Sequence, residues 1–275
     1  MSETRIIDHG NGIYALDQGM VRMFLIVGDD RALLFDVGVE KAPVMELIRQ
    51  ITELPVELCL SHSDHDHTAN ADLFESLYIH EAEVERYERN GKPEGQRLKP
   101  LHEGFCFELG GRELTVLHCP GHTPGSISLL DRKDGLIFPG DTLSHASVFM
   151  FGDGREDGAY LRTLERLEEL YAEGAFRTIY PCHGECPLEL PEGKTADACE
   201  APGMKNACTE EADTKNACSG SDGSGTGGKT PMRELMDCMN AIASGSIRGT
   251  SAAFRDPEGR QVHDYRFGAC GILHI

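Results

Sequence analysis

The residue types best suited to chemistry lie together in one stretch, His62-Ser63-Asp64-His65-Asp66-His67. It holds three imidazoles and two carboxylates directly after the apolar run 56–60, which predicts a buried strand. Carboxylates packed together raise one another's pKa unless a cation lies among them. The stretch therefore indicates a metal site. In a chain with 12 histidines, a polar loop that is rich in His and Asp by chance is the alternative interpretation.

Three later motifs favour the metal site, and each follows or ends an apolar run that predicts a strand. They are Pro120-Gly121-His122-Thr123-Pro124-Gly125, Pro139-Gly140-Asp141-Thr142 and Tyr180-Pro181-Cys182-His183-Gly184. Together with the first stretch they resemble the metallo-β-lactamase superfamily of dinuclear metallohydrolases. Its first motif is His-x-His-x-Asp-His, followed by a single His, a bridging Asp and a last His. The resemblance covers roughly residues 5 to 190 and is specific as a set of motifs.

The resemblance implies metal-binding roles for seven side chains. The first ion would be bound by His62, Asp64 and His122, the second by Asp66, His67 and His183, with Asp141 bridging both. Asp64 stands where the family usually has its second His. His65 lies outside the implied set, and we expect it in solvent or behind the ligands.

The chemistry follows from the same resemblance. Two divalent ions about 3.5–4 Å apart hold a bridging hydroxide and polarise the bond that it attacks. Asp66 is the implied catalytic residue, because it would bind one ion and orient that hydroxide. The predicted function is metal-dependent hydrolysis of an ester, thioester, lactone, amide or phosphoester of a small molecule. Zinc is the expected metal, and the hard oxygen ligand Asp64 leaves iron or manganese open.

Two other functions stay open on these residues. Asp64 gives the first ion a His-carboxylate-His set, which is similar to that of the flavodiiron oxygen or nitric oxide reductases, where a Glu stands at this position. Those enzymes continue into a flavodoxin-like domain, and the residues after Pro191 are too few to supply one. A metal-binding or sensing protein without catalysis is the third interpretation.

The elements that must position these residues form an α/β chain, and the resemblance implies a four-layer αββα sandwich over residues 1–190. Short apolar runs from 5 to 37 predict a strand meander, and residues 105–138 predict further strands. Helices are expected at 42–52, 69–77, 81–90 and 160–172. The segment 144–152 has an apolar centre, which either lines a substrate pocket or packs into the core.

The chain changes character after Pro191. Between 191 and 230 the only large apolar side chain is Met204, so we expect a disordered, cysteine-containing insertion that cannot bury enough surface to order itself. Its cysteines, Cys199, Cys208 and Cys218, do not have zinc-finger spacing. Residues 231–275 predict a helix at 232–242 and a terminal hairpin of 261–267 with 269–275, packed back on the preceding domain.

Composition limits the possible partners and location. The 26 basic and 46 acidic residues give a formal charge of −20, which disfavours nucleic-acid backbones and anionic membranes. The expected partner is a small-molecule substrate, and the oligomeric state is left open. No apolar run reaches the ~20 residues of a membrane span, and the start does not resemble a signal peptide, so we expect the cytoplasm. There the ten cysteines would be thiols.

Overall fold

The computed structural model describes residues 4–191 and 229–275. The strands are β1 (Arg5–Gly10), β2 (Ile13–Asp17), β3 (Arg22–Val27), β4 (Ala32–Phe35), β5 (Val56–Cys59), β6 (Ser76–His80), β7 (Arg97–Leu101), β8 (Cys106–Glu108), β9 (Glu113–His118), β10 (Ile127–Asp131), β11 (Leu136–Phe138), β12 (Ser147–Phe149), β13 (Thr178–Ile179), β14 (Leu188–Glu189), β15 (Thr250–Arg255), β16 (Gln261–Phe267) and β17 (Cys270–His274). The α-helices are α1 (Val44–Arg49), α2 (His65–Thr68), α3 (Val84–Arg89), α4 (Asp157–Ala172) and α5 (Pro231–Ala243). The expected insertion, with Cys199, Cys208 and Cys218, lies almost wholly outside the described residues.

Two sheets carry the part of the chain that contains the seven candidate ligands. The first has the order β1-β2-β3-β4-β5-β6-β7, antiparallel as far as β4 and parallel from β4 to β7. The second has the order β14-β13-β11-β10-β9-β8. In it β9 and β11 are both antiparallel to β10, and β13 is parallel to β11, so these three strands run in one direction.

The alternation of side chains along the strands builds the layers. On β4, Leu33 and Phe35 face a core shared with the second sheet, whereas Ala32 and Leu34 face the opposite side with residues of α1. Successive residues of a strand point to opposite faces, so a strand that is buried on both faces reads as a continuous apolar run. Helix α4 packs on the outer face of the second sheet through residues such as Leu164 and Leu167. The result is the expected four-layer αββα sandwich.

A third sheet completes the described chain. It has the order β12-β17-β16-β15, with β12 parallel to β17. Its residue Ile272 belongs to the same buried cluster as Leu235 of α5 and Leu164 of α4. The predicted hairpin is therefore present as β16 and β17, and the structure adds β15 on one side and β12 on the other. Of the residues described, no helix combines the length and apolar character needed to cross a bilayer.

The predicted helix at 69–77 is wrong. Residues 71–73 form a single 3₁₀ turn, and Ser76–His80 is strand β6. The reason is Asn70, whose side-chain amide donates to the carbonyls of Val37 and Glu40, while its oxygen accepts from the Ala42 N–H. This side chain satisfies the backbone of the 37–42 loop and does not extend a helix.

Replacement of Leu235 by Ala tests whether α5 belongs to the cooperative core. Leu235 is fully buried in the cluster that includes Leu164, so its truncation is expected to lower the free energy of unfolding by about 2–5 kcal/mol. Urea denaturation measures the change. The exposed Arg233, two residues earlier on the same helix, gives the matched control Arg233→Ala, with an expected change within about 0.5 kcal/mol. Equal stability of the two variants would contradict the assignment.

Candidate metal centre

The seven candidate ligands all lie at the carboxyl ends of strands. His62, Asp64, Asp66 and His67 follow β5 of the first sheet. His122 follows β9, Asp141 follows β11 and His183 follows β13, the three strands that run in one direction in the second sheet. Both sheets therefore deliver polar side chains to one edge of the sandwich, where the loops are free to carry them.

Four ligand atoms define what we call the second position: Asp66 Oδ2, His67 Nε2, Asp141 Oδ1 and His183 Nε2. Asp141 Oδ1 lies 3.2 Å from both imidazole nitrogens. Asp66 Oδ2 lies 3.5 Å from His67 Nε2 and 3.4 Å from His183 Nε2. A tetrahedral zinc site with bonds of about 2.0–2.1 Å has ligand atoms about 3.3–3.4 Å apart. The spacing of these four atoms fits one such ion.

Two atoms of the second position need a partner that protein atoms do not supply. His67 Nε2 and Asp141 Oδ1 are buried and make no hydrogen bond. Buried polar atoms without a partner are costly, and native proteins rarely retain them. Their convergence on the same space as His183 and Asp66 is the expected arrangement for a bound cation.

The first position lies on the other side of Asp141. His62 Nε2 and His122 Nε2 are 3.2 Å apart, and Asp141 Oδ2 lies 3.9 and 3.5 Å from them. Asp64 Oδ2 lies 3.5 Å from His62 Nε2 and 3.3 Å from His122 Nε2. Asp141 thus directs one carboxylate oxygen to each position, as a ligand shared by two ions would. The seven residues named from the sequence lie around one cavity, and His65 is exposed.

All four imidazoles present Nε2 to the site because their Nδ1 atoms are engaged. His122 Nδ1 donates to the Phe149 carbonyl at 3.0 Å, and His183 Nδ1 donates to the Met20 carbonyl at 2.7 Å. His67 Nδ1 bonds Asp36, and His62 Nδ1 bonds the Ser61 hydroxyl, each at 2.8 Å. Such bonds fix the tautomer and the orientation of a metal-binding histidine.

Asp36 is a functional residue that the sequence analysis missed. Its Oδ2 accepts from the Ser61 hydroxyl at 2.8 Å and bonds His67 Nδ1, and its Oδ1 accepts from the Ser61 N–H at 2.7 Å. One buried carboxylate therefore orients His67 directly and His62 through Ser61. Its backbone has φ 67°, in the left-handed region that only short polar residues and Gly adopt readily. The sequence signal that could have identified Asp36 is its place at the end of β4, beside β5.

Two arginines hold Asp64, and both were missed as well. Arg86 Nη2 lies 2.6 Å from Asp64 Oδ1, and Arg155 Nη2 bonds Asp64 Oδ2 and lies 3.4 Å from His122 Nε2. Arg86 also pairs with the buried Glu83, whose carboxylate accepts from the Ser63 and Gly125 N–H groups. The predicted surface helix at 81–90 is thus part of the site. Arg155 bonds Oδ2 of Asp64, and this is also the oxygen that would bind an ion at the first position.

The groups around the two positions shift imidazole pKa values in opposite directions. Burial alone would lower the pKa of His183, but the adjacent Asp141 carboxylate raises that pKa to about 10. Burial would also lower the pKa of His67. The surrounding carboxylates of Asp141, Asp66 and Asp36 outweigh that effect and together raise it. Burial lowers the pKa of His122, and the Arg155 guanidinium adds to that effect. The carboxylates therefore favour the charged form of the second-position imidazoles, whereas burial and Arg155 favour the neutral form of His122.

Glycines allow the loops that carry Asp141 and His122 to pack closely against neighbouring elements. Gly140, which precedes Asp141, has φ 56°, and a Cβ atom there would lie 2.7 Å from Ser61 Cβ. Gly121, which precedes His122, has φ 134°, and a Cβ atom there would lie 2.4 Å from the Tyr160 backbone. Both Pro-Gly pairs therefore serve close packing and a backbone conformation that other residues rarely adopt.

The variant Asp36→Asn tests the support of the imidazoles. Asn tolerates the left-handed backbone and keeps the shape of the side chain, but it lacks the charge that holds His67. We expect cation affinity to fall about 10–100-fold, measured by competition with a chromophoric chelator. The exposed Asp72, which pairs with Lys41, gives the control Asp72→Asn with unchanged affinity. Unchanged affinity in Asp36→Asn would remove Asp36 from the site.

Comparison with known proteins agrees with this geometry. Residues 16–183 match the family model described as the Metallo-beta-lactamase superfamily. The chain is 26% identical over 216 residues to the acyl-coenzyme A thioesterase MBLAC2 of Gallus gallus, covering 63% of this chain and 78% of that protein. It is 30% identical over 135 residues to the hydroxyacylglutathione hydrolase of Nitrosomonas europaea, covering 48% and 47% of the two chains.

Solved structures show the same fold. The metallo-beta-lactamase from Pontibacter korlensis superposes with a TM-score of 0.56 at 16% identity, over 66% of this chain and 91% of that one. The family match, the relatives and the cluster of His and Asp side chains together assign the class of protein. The chain belongs to the metallo-β-lactamase superfamily and is a divalent-metal-dependent hydrolase of that fold.

Proposed function

We propose that this protein hydrolyses thioesters, with two divalent cations held by His62, Asp64, Asp66, His67, His122, Asp141 and His183. The observation that carries the proposal is the division of the Asp141 carboxylate, which directs one oxygen to His62 and His122 and the other to His67 and His183. A shared carboxylate between two imidazole groups fits a pair of adjacent ions.

The choice of thioesters among the substrates open to the fold is supported by the relatives. The Gallus gallus relative is named for hydrolysis of acyl-coenzyme A, and the Nitrosomonas europaea relative for hydrolysis of acylated glutathione. In both substrates an acyl group is carried on a thiol. Hydrolysis adds water to the carbonyl carbon and breaks the C–S bond, so that a carboxylic acid and a free thiol leave.

The residues of the chain divide the work of this reaction. Bound divalent cations would lower the pKa of a coordinated water and polarise the substrate carbonyl. Asp66 has a side chain that is 32% exposed, whereas Asp141 is 11% exposed and His67 is buried, so Asp66 faces the side from which water and substrate enter. In our proposal its carboxylate accepts a proton from the attacking water and fixes the direction of attack. Asp36 and Ser61 keep the imidazoles in place behind it.

Zinc is the metal we propose for both positions, because the donor set is imidazole nitrogen and carboxylate oxygen in a spacing that suits tetrahedral binding. Asp64 supports a second candidate, a diiron oxygen or nitric oxide reductase, since a carboxylate in place of a His favours harder ions. Elemental analysis of protein purified without added metal separates the two. Zinc is the expected result, and two irons with visible absorption would favour the reductase.

We also propose a reducing compartment, the cytoplasm, for this protein. The seven cysteines of the described residues are all free thiols, and five of them are buried. Burial raises the pKa of the Cys182 thiol, which lies 3.6 Å from Asp36 Oδ2, so it packs behind the site as a protonated group. Cysteines kept as buried thiols fit a chain that is not exposed to oxidising conditions.

Asp66→Ala tests the proposed function directly. The variant is expected to lose at least about 100-fold in kcat/KM while it keeps its fold, because the residue that orients water is gone. The assay follows thiol release from acetyl-coenzyme A, an acylated glutathione and acyl thioesters of N-acetylcysteamine, beside a chromogenic β-lactam and an aryl ester.

The exposed Asp72 supplies the control Asp72→Ala, which is expected to keep full activity. Circular dichroism and the unfolding transition verify the fold of both variants. Undiminished hydrolysis by Asp66→Ala would remove the mechanism, and preference for the β-lactam or the aryl ester over every thioester would remove the substrate class.

A further inference from the structure

Exposed apolar side chains concentrate at the entrance of the metal centre. Among residues 4–191 and 229–275, five large apolar side chains are exposed, and three of them are Met20 at 64%, Phe149 at 43% and Phe254 at 42%. Met20 and Phe149 are the residues whose carbonyls accept from His183 and His122. The backbone that orients two of the ligands thus carries side chains that remain uncovered.

The segment from Phe149 to Arg155 lies along the first position. At its start the Phe149 carbonyl is 3.0 Å from His122 Nδ1, and at its end Arg155 Nη2 is 3.4 Å from His122 Nε2. Phe151 lies between these two anchors. On β12 the neighbouring Val148 is buried in the core, so the strand alternation turns Phe149 outward.

Three phenylalanines form a cluster here, which we call the aromatic wall: Phe149, Phe151 and Phe254. The ring centroids of Phe149 and Phe151 are 5.5 Å apart, those of Phe151 and Phe254 are 5.9 Å apart, and those of Phe149 and Phe254 are 6.3 Å apart with an interplanar angle of 13°. These distances lie within the range of aromatic contacts. The wall is linked to the first position through Phe149, whose carbonyl accepts from His122 Nδ1.

Phe254 reaches this wall from a different part of the chain. It belongs to β15, in a sheet built from residues after 230 together with β12. The family match ends at residue 183, so β15, β16 and β17 lie outside it, whereas β12 lies within it. Strand β15 thus places Phe254, a residue outside the family match, against Phe149 and Phe151.

We propose that the aromatic wall binds the apolar acyl chain of the substrate, and that Phe254 therefore sets the preference for longer acyl groups. The inference rests on the proposed function, because an acyl chain whose carbonyl lies at the cations extends from the first position. The wall begins at a residue bonded to His122, so chain and wall are contiguous. Apolar surface of this kind on a protein of formal charge −20 suits an uncharged chain rather than a nucleic acid or an anionic membrane.

The experiment compares Phe254→Ser with Leu73→Ser. Leu73 is 45% exposed and lines a surface cavity together with Pro93 and Gln96. It therefore matches Phe254 in exposure but lies elsewhere on the surface. For each protein, kcat/KM is measured with acetyl and decanoyl thioesters of N-acetylcysteamine. Phe254→Ser is expected to lower the ratio of decanoyl to acetyl kcat/KM about tenfold, with the unfolding transition unchanged. Leu73→Ser is expected to keep the ratio of the parent protein.

A binding measurement separates this inference from the proposed function. The decyl thioether of N-acetylcysteamine cannot be hydrolysed, and calorimetry is expected to show about tenfold weaker binding to Phe254→Ser. If thioesters are hydrolysed but Phe254→Ser keeps the ratio, the inference fails and the proposed function stands. If no thioester is hydrolysed, the proposed function fails, and weaker thioether binding by Phe254→Ser still supports the apolar site.

The other possible occupant of the aromatic wall is a second copy of the chain. Light scattering across a range of concentrations, on the parent protein and on Phe254→Ser, tests it. A dimer that dissociates in the variant, with the acyl preference unchanged, would overturn the inference, and equal thioether binding by all three proteins would do the same.

Discussion

The arrangement depends on one carboxylate, that of the half-buried Asp141, which faces imidazoles from both sheets. The first sheet supplies His62 and His67, and the second supplies His122, His183 and Asp141 itself. Four carboxylates, those of Asp36, Asp64, Asp66 and Asp141, meet at this edge, and their mutual repulsion must be offset. Imidazoles and two arginines provide part of the positive charge in the protein, and divalent ions complete it. These opposite charges lie where the ends of the two sheets meet.

The positive charge is divided unevenly. Around the second position it is carried by His67 and His183, whose pKa values are raised by the carboxylates beside them. Around the first position it is carried by Arg86 and Arg155, which both bind Asp64. Cations bound at the two positions would therefore meet different neighbouring groups: imidazoles with raised pKa values at the second position and arginines at the first. Replacement of the usual second His by Asp64 belongs to this arrangement, because a carboxylate accepts two arginines and an imidazole does not.

The sequence was sufficient for the family and the layers, and it named seven side chains that the structure brings together, because the motifs that carry them are local patterns. His62 to His67, the Pro-Gly pairs and the terminal hairpin are read from neighbouring residues. What it could not supply depends on contacts between distant residues. Arg86 looks like one more charge on a solvated helix until Asp64 is placed beside it. Asp36 is an ordinary strand end without His67, and the helix expected at 69–77 is prevented by bonds from Asn70 to a loop 30 residues earlier. In the segment 144–152 Val148 packs in the core, as one of the two alternatives predicted, whereas Phe149 faces solvent.

The parallel pairing of β12 with β17 has a consequence for the newly made polypeptide. Phe149 pairs with Leu273, and the Met150 N–H donates to the Leu273 carbonyl at 2.8 Å, so the segment that orients His122 is held by the last strand of the described chain. During translation all seven candidate ligands leave the ribosome before that strand exists. A nascent chain can thus assemble the second position early, while the first gains its final backbone support only when synthesis has passed residue 273.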